Sequence, residues 1–271
     1  MLESDWFITR GRPLILAHRG ASAVAPQNTL AAFRRAAELG ADGVELDVHL
    51  SADGVPVVIH NFDVDELTDG IGKVTDKTLA ELKELDAGEK FAPQFAGERI
   101  PTLAEVLEAL DGKLLVNVEL KDVSPAGVGL EEPVAEVVRQ HGMESKVLFS
   151  SFNPFTLRRM RPLAPNIPSG LLYAHDLPTY LRRAWFGPFT PHEARHPDAE
   201  MTDARLVKWC HARKLRINVW TVDDPAEMKR LIALGVDGIL TNKPDVLRQS
   251  LVTGGLWYTR PSRIESDYRQ S

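Results

Sequence analysis

Short β-branched and aliphatic runs alternate with longer stretches of helical periodicity from one end of the chain to the other, and no other feature restricts the fold as much. Strands are expected at Leu14–Ala17, Val44–Val48, Val55–His60, Leu114–Leu120, Val147–Ser150, Gly170–Tyr173, Ile217–Val222 and Gly238–Thr241. Helices are expected at Thr29–Leu39, Leu103–Leu110, Pro133–Gln140, Pro154–Arg161, Asp203–Arg213, Pro225–Leu234 and Asp245–Leu251. Eight strands interleaved with helices over roughly 250 residues point to a closed TIM-like (β/α)8 barrel. The expected class is therefore α/β, with one barrel domain spanning residues 1–271.

Three places break the rhythm. No helix fits between Val48 and Val55, where Asp53-Gly54 signals a tight turn. A two-residue hairpin there would pair residues whose numbers sum to 107 and set His60 opposite Asp47. The connection between strands 2 and 3 is thus expected to be irregular. Residues 62–101 hold one modest helical stretch, near Leu79–Leu85, and read as a small inserted segment over one barrel face. A second long connection, Ala174 to Pro197, carries Trp185, Phe186 and Phe189, and the tail from about 254 to 271 is polar. Leu39-Gly-Ala-Asp-Gly-Val-Glu and Leu234-Gly-Val-Asp-Gly-Ile-Leu echo each other as a helix end, a glycine cap and a strand.

Composition narrows the function. The net charge of −6 and the lack of a basic run argue against nucleic-acid binding. A lone cysteine, Cys210, excludes an intrachain disulfide and a cysteine metal site. No run approaches the roughly 18 apolar residues of a spanning helix, and the apolar stretch at Leu14–Ala17 is too short for a signal sequence. The expectation is a cytoplasmic protein without stable membrane insertion.

Barrel enzymes place reactive groups at the C-terminal strand ends. Those ends carry His18-Arg19, Glu45 with Asp47, His60, Glu119 with Lys121, Trp220 and Thr241-Asn242. Glu45 and Asp47, two apart, leave the same strand face, as do Glu119 and Lys121. Three carboxylates converging at one mouth would repel unless a cation neutralised them, and oxygen ligands suit Mg²⁺ or Ca²⁺. The alternative is a solvent-facing edge strand. His18 and His60 suit acid–base work near neutral pH or structural hydrogen bonding. Arg19 and Lys121 suit an anionic substrate; Trp220 suits a carbon skeleton or the core. Asn28 is a candidate N-cap for the first helix. Markers of serine hydrolases, NTPases and dinucleotide-binding folds are absent from the sequence.

The series His18-Arg19-Gly20, Pro26-Gln27-Asn28-Thr29, Glu45-Leu46-Asp47-Val48, Val58-Ile59-His60 and Glu119-Leu120-Lys121 resembles the motifs of the glycerophosphodiester phosphodiesterases. Thr78–Lys83, Gly97–Leu103, Val219–Val222 and Asp237–Thr241 extend the likeness from about residue 14 to 250. The resemblance implies metal ligation by Glu45, Asp47 and Glu119, an acid–base pair of His18 and His60, and phosphate binding by Arg19 and Lys121. It places Trp220 beside the glycerol. Gln27, Asn61 and Asn242 depart from the family pattern, each standing where a carboxylate is usual, which bears on hydrogen bonding around the site, metal identity and substrate preference.

The expected reaction is metal-dependent hydrolysis of a glycerophosphodiester to glycerol phosphate and an alcohol, with Mg²⁺ or Ca²⁺ as cofactor and Mn²⁺ a further candidate. The partner is a small-molecule phosphodiester. The nearest alternative is a lysophospholipase D-like activity on lysophospholipids. A phosphate-binding barrel without activity has little need for paired acid–base groups, and a carbon-chemistry barrel would want a Schiff-base lysine or another metal set. The aromatic connection around Trp185 could pack over the barrel mouth, meet a second subunit in a homo-oligomer, or touch lipid.

Overall fold

A computed structural model describes residues 4–8, 10–182 and 184–256. Eight parallel strands close into a barrel: β1 (Leu14–His18), β2 (Gly43–Leu50), β4 (Leu115–Leu120), β5 (Val147–Ser151), β6 (Ser169–Tyr173), β7 (Ala194–Pro197), β8 (Arg216–Val219) and β9 (Gly238–Thr241). Pairing of β1 with both β9 and β2 closes the ring. The outer helices are α1 (Leu30–Glu38), α3 (Leu103–Leu110), α4 (Glu131–Gln140), α5 (Pro154–Leu163), α7 (Ala204–Ala212), α8 (Pro225–Leu234) and α9 (Pro244–Thr253). Helix α2 (Leu79–Glu84) lies in the segment 62–101, and the single turn α6 (Thr179–Arg182) follows β6. The tail beyond residue 256 lies outside the described residues.

One of the eight expected strands changes place. The run Val55–His60 supplies β3 (Pro56–Val58), which pairs antiparallel with the upper end of β2 and stands outside the parallel ring. Its place is taken by β7, Ala-Arg-His-Pro, inside the stretch read as a connection. That sequence hides its strand because Arg195 and His196 are polar yet buried. The hairpin register also differs from expectation. Val48 faces Val58 and Leu50 faces Pro56, so paired numbers sum to 106. Gly54, at φ +80°, ends a three-residue loop closed by Ser51 N donating to Val55 O. The extra loop residue sets Ile59, in place of His60, against Asp47, with Ile59 N donating to Asp47 O at 3.0 Å.

The internal echo is a shared joint. Asp42 Oδ2 accepts from Ile15 N and Asp237 Oδ2 from Ile217 N, each at 2.9 Å, so each aspartate ties the strand before it to the next. Arginines neutralise both: Arg12 at Asp42 and Arg216 at Asp237.

The main core lies between strands and helices, around Phe33, Leu46, Leu103, Val116, Phe149, Ile217 and Leu247. A satellite core of Val57, Ile59, Val64, Val74, Leu82 and Ile100 folds residues 62–101 against the hairpin. Pro101 O accepts from Val58 N at 2.8 Å and Val57 bridges Thr102, so this segment leaves and rejoins the barrel at adjacent points.

Candidate active site

Register aligns the polar side chains in rows. His18 lies beside Glu45, which lies beside Asn117; one step higher, Asp47 lies beside Glu119. One carboxylate oxygen each of Glu45, Asp47 and Glu119 falls within 4.8 Å of the others, and all three residues are buried. Parallel strands place in-register residues side by side, so the i, i+2 spacing read from the sequence becomes convergence here.

Cations hold the upper two. Lys121 Nζ stands 3.0 Å from Glu119 Oε1 and 3.4 Å from Asp47 Oδ1, and Arg19 Nε is 3.4 Å from Asp47 Oδ2. Burial raises the Asp47 pKa, but Lys121 and Arg19 outweigh it and hold the carboxyl at about 2. Glu45 has a weaker defence. Burial first, then repulsion from Asp47 and Glu119, pushes its pKa well above the usual range. Burial also raises Glu119, against the pull of Lys121. Asp47 Oδ1 is buried and accepts no hydrogen bond. Three carboxylates, one with an unsatisfied oxygen, form a donor set that fits a hard divalent cation.

Arg19 and Asn28 both take left-handed backbone, with φ of 56° and 59°. Non-glycine residues there cost on the order of 1 kcal/mol or more. Arg19 N donates to Glu45 Oε2 at 3.0 Å, and its side chain reaches Gln27 Oε1 at 2.7 Å. Asn28 is not the expected cap of α1; Thr29 takes that role, its hydroxyl accepting from Ala32 N. The Asn28 amide instead donates to Asp47 Oδ2 at 2.8 Å. Sequence reading missed this because Asx before a helix has a sufficient local explanation. It also passed over His49, although period two continues from Glu45 and Asp47 to this residue. His49 Nε2 meets His60 O at 3.2 Å, and the ring stacks edge-on against Phe62.

The two histidines are held alike. Asn242 Nδ2 donates to Asp223 Oδ2 at 2.6 Å, which turns its Oδ1 toward His18 Nδ1 at 2.8 Å. Asn61 Nδ2 donates to Glu66 Oε2 at 2.5 Å, and its Oδ1 meets His60 Nδ1, also at 2.5 Å. A carboxylate only accepts, so each asparagine has its amide nitrogen committed and offers the histidine an acceptor. Each ring then carries hydrogen on Nδ1. Burial, then Arg19, lowers the His18 pKa to about 4. Burial lowers His60 too, partly opposed by Asp47.

Two chambers meet here. One, of about 200 Å³, is lined by His18, Glu45, His60, Lys121, Phe152 and Trp220. Trp220 is fixed by Nε1 donating to His196 O at 2.8 Å and by an edge-on contact with Phe152. The other, of about 480 Å³, runs from His18 and Arg19 to Glu66, Leu67, Lys90 and Phe91 of the segment 62–101. All eight side chains singled out from the sequence thus surround the mouth: His18, Arg19, Glu45, Asp47, His60, Glu119, Lys121 and Trp220.

A closed parallel barrel that gathers its titratable side chains at the C-terminal strand ends has the organisation of a barrel enzyme. Residues 18–246 match the glycerophosphoryl diester phosphodiesterase family, and the chain belongs to that family. It is 44% identical over 246 residues to a glycerophosphodiester phosphodiesterase of Caldanaerobacter subterraneus subsp. tengcongensis, covering 90% of this chain and 100% of that protein. A Bacillus subtilis glycerophosphodiester phosphodiesterase is 34% identical, with 88% of this chain and 86% of the relative covered. Among solved structures, an Oleispira antarctica phosphodiesterase in complex with the product sn-glycerol-3-phosphate is similar at TM-score 0.79 and 32% identity, covering 89% and 97% of the two chains.

Proposed function

We propose that this enzyme hydrolyses glycerophosphodiesters to glycerol phosphate and an alcohol. One observation carries the reading: a buried carboxylate trio flanked by two histidines of matched tautomer, with Arg19 and Lys121 at the same mouth. Family membership and the product held by the Oleispira relative support it.

Glu45, Asp47 and Glu119 would hold Mg²⁺ or Ca²⁺, with Mn²⁺ a further candidate. Bound there, such a cation supplies Lewis-acid stabilisation of charge developing on the phosphoryl oxygens. Arg19 and Lys121 orient the phosphate, and Trp220 packs against the glycerol carbons. His18 and His60 divide the proton work: one accepts the proton of the attacking hydroxyl or water, the other protonates the leaving alkoxide. Both present Nε2 for it, since Nδ1 is committed to asparagine. The larger chamber takes the alcohol.

The test is a panel of glycerophosphocholine, glycerophosphoethanolamine and glycerophosphoglycerol, each with Mg²⁺, Mn²⁺ and Ca²⁺. Turnover with at least one pair is expected; none with any pair would refute the reading. A lysophospholipid is the second reading, favoured by the exposed Trp185 and Phe189. Water-soluble substrates are expected to win; a kcat/KM ratio favouring monomeric lysophosphatidylcholine by more than about tenfold reverses the order.

A further inference from the structure

Among the described residues, the connection from β6 to β7 forms no full outer helix. The neighbouring α5, α7 and α8 run nine or ten residues, whereas α6 has four. The space left against α7 is a chamber of about 850 Å³, within the range of small-molecule sites. Its walls are apolar and aromatic, with Trp185, Leu206, Trp209 and Leu215 among them. None of its lining residues lines the two chambers at the mouth.

Its charge is lopsided. Arg182, Arg195, Arg205 and Arg213 line it against one carboxylate, Asp203, whose Oδ1 already accepts from Leu206 N at the start of α7. Arg195 is the decisive member. Residues alternate along β7, so while His196 turns into the barrel beside Asn218, Arg195 leaves the outer face. It is 7% exposed. Among the described residues no carboxylate lies within ion-pair distance of it, and its Nε has no hydrogen-bond partner. Its guanidinium rests between the rings of Tyr173 and Trp209, 5.8 and 5.4 Å from their centroids. Gly187 makes room for it: a Cβ there would come within 2.3 Å of Arg195 Nη2. His192, on the same wall, donates from Nδ1 to Thr190 O at 2.7 Å, which leaves its Nε2 an acceptor and Arg195 the anion-binding group. A buried guanidinium without a counter-charge is costly, and ring faces offset only part of that cost. An orphaned guanidinium donor on the wall of an apolar chamber specifies what completes it: a single negative charge attached to a hydrocarbon chain.

We propose that this chamber binds a single-chain amphiphile with an anionic head, a long-chain fatty acid being the simplest, at a site separate from the active site. Arg195 receives the head, with Arg213 beside it over Trp209. The chain lies along Leu206, Trp209 and Trp185.

Calorimetric titration with oleate below its micellar concentration tests this on the intact protein. Saturable binding of one oleate per chain is expected, with oleyl alcohol, which lacks the charge, roughly tenfold weaker or worse, the scale of one lost charge-assisted hydrogen bond. Arg195→Gln should weaken oleate by a similar factor and leave oleyl alcohol nearly unchanged. Leu206→Glu, which sets a carboxylate in the chamber, should abolish oleate binding, and it carries the test if Arg195→Gln fails to fold as judged by thermal unfolding. Absence of saturable binding overturns the proposal. So does binding that survives both variants, or that sn-glycerol 3-phosphate displaces, since that would locate oleate at the active site.

Discussion

Asn61 and Asn242 show how a neutral residue can do work usually left to a charge. Each passes the constraint of a carboxylate, Glu66 or Asp223, to a histidine without placing that charge beside the ring. Asn242→Leu, which keeps the volume and removes the acceptor, should lower kcat by about 10²-fold, within the span of acid–base contributions. Metal affinity, read by titration, should stay within a few-fold. If metal binding falls as far as kcat, Asn242 supports the site as a whole. Replacing His18 or His60 by Ala should cost about 10²–10⁴ in kcat, again with metal retained; loss of metal would make the histidines ligands. Glu45→Gln, Asp47→Asn and Glu119→Gln should each weaken Mn²⁺ binding, and chelation should stop turnover; full activity after exhaustive EDTA treatment contradicts this. The positions around the mouth were legible because i, i+2 spacing on a strand fixes a shared face. Their supports, Glu66 and Asp223, were not, since they arrive from loops whose paths no periodicity encodes.

Between strand and helix, the β1–α1 joint carries much of the site's geometry. Gly20 takes φ +82°, and a Cβ there would lie 2.6 Å from the backbone of Ala32. Gly20→Ala should therefore cost well over the roughly 1 kcal/mol of a left-handed alanine, because α1 must also shift. Asn28 rides on that joint, so metal affinity should fall with stability; denaturant midpoints and Mn²⁺ titration on one variant measure both. Unchanged midpoints would mean that the joint relaxes elsewhere. Most barrel elements were readable from their periods, with α3 and α8 matching their expected bounds. Strand β7 was not, because its buried faces are filled by Arg195 and His196, residues whose presence says loop in any single-sequence reading. The hairpin register was missed for a smaller reason: Asp-Gly closes loops of two or three residues, and one residue is enough to change which side chains face each other.

At the scale of the whole molecule, the barrel interior holds a titratable group far from neutral behaviour. His196 is fully buried, Asn218 Nδ2 stands 3.0 Å from its Nε2, and Gly170 leaves space for its ring. Burial, and to a smaller extent His192, lowers its pKa to about 3. An unfolded histidine titrates near 6.5. Between those values the unfolded chain binds a proton that the folded chain refuses, so stability falls as pH drops from about 6.5 toward 3 and this contribution is level above 6.5. The slope from this group approaches about 1.4 kcal/mol per pH unit. Urea midpoints from pH 7 to 4 should fall less steeply in His196→Gln; equal slopes would assign the acid loss to other groups. The chain leaves the barrel after Val58 and returns at Pro101, one hydrogen bond away, and residues 62–101 between them pack a small core against the hairpin. A segment whose ends lie this close can be exchanged without moving the barrel, as domains with adjacent termini can be inserted. A graft would replace Leu67, Lys90 and Phe91 on the chamber wall, and Glu66 behind His60, yet leave all three carboxylates untouched. The substrate side of the mouth can thus change while the carboxylate trio stays in place.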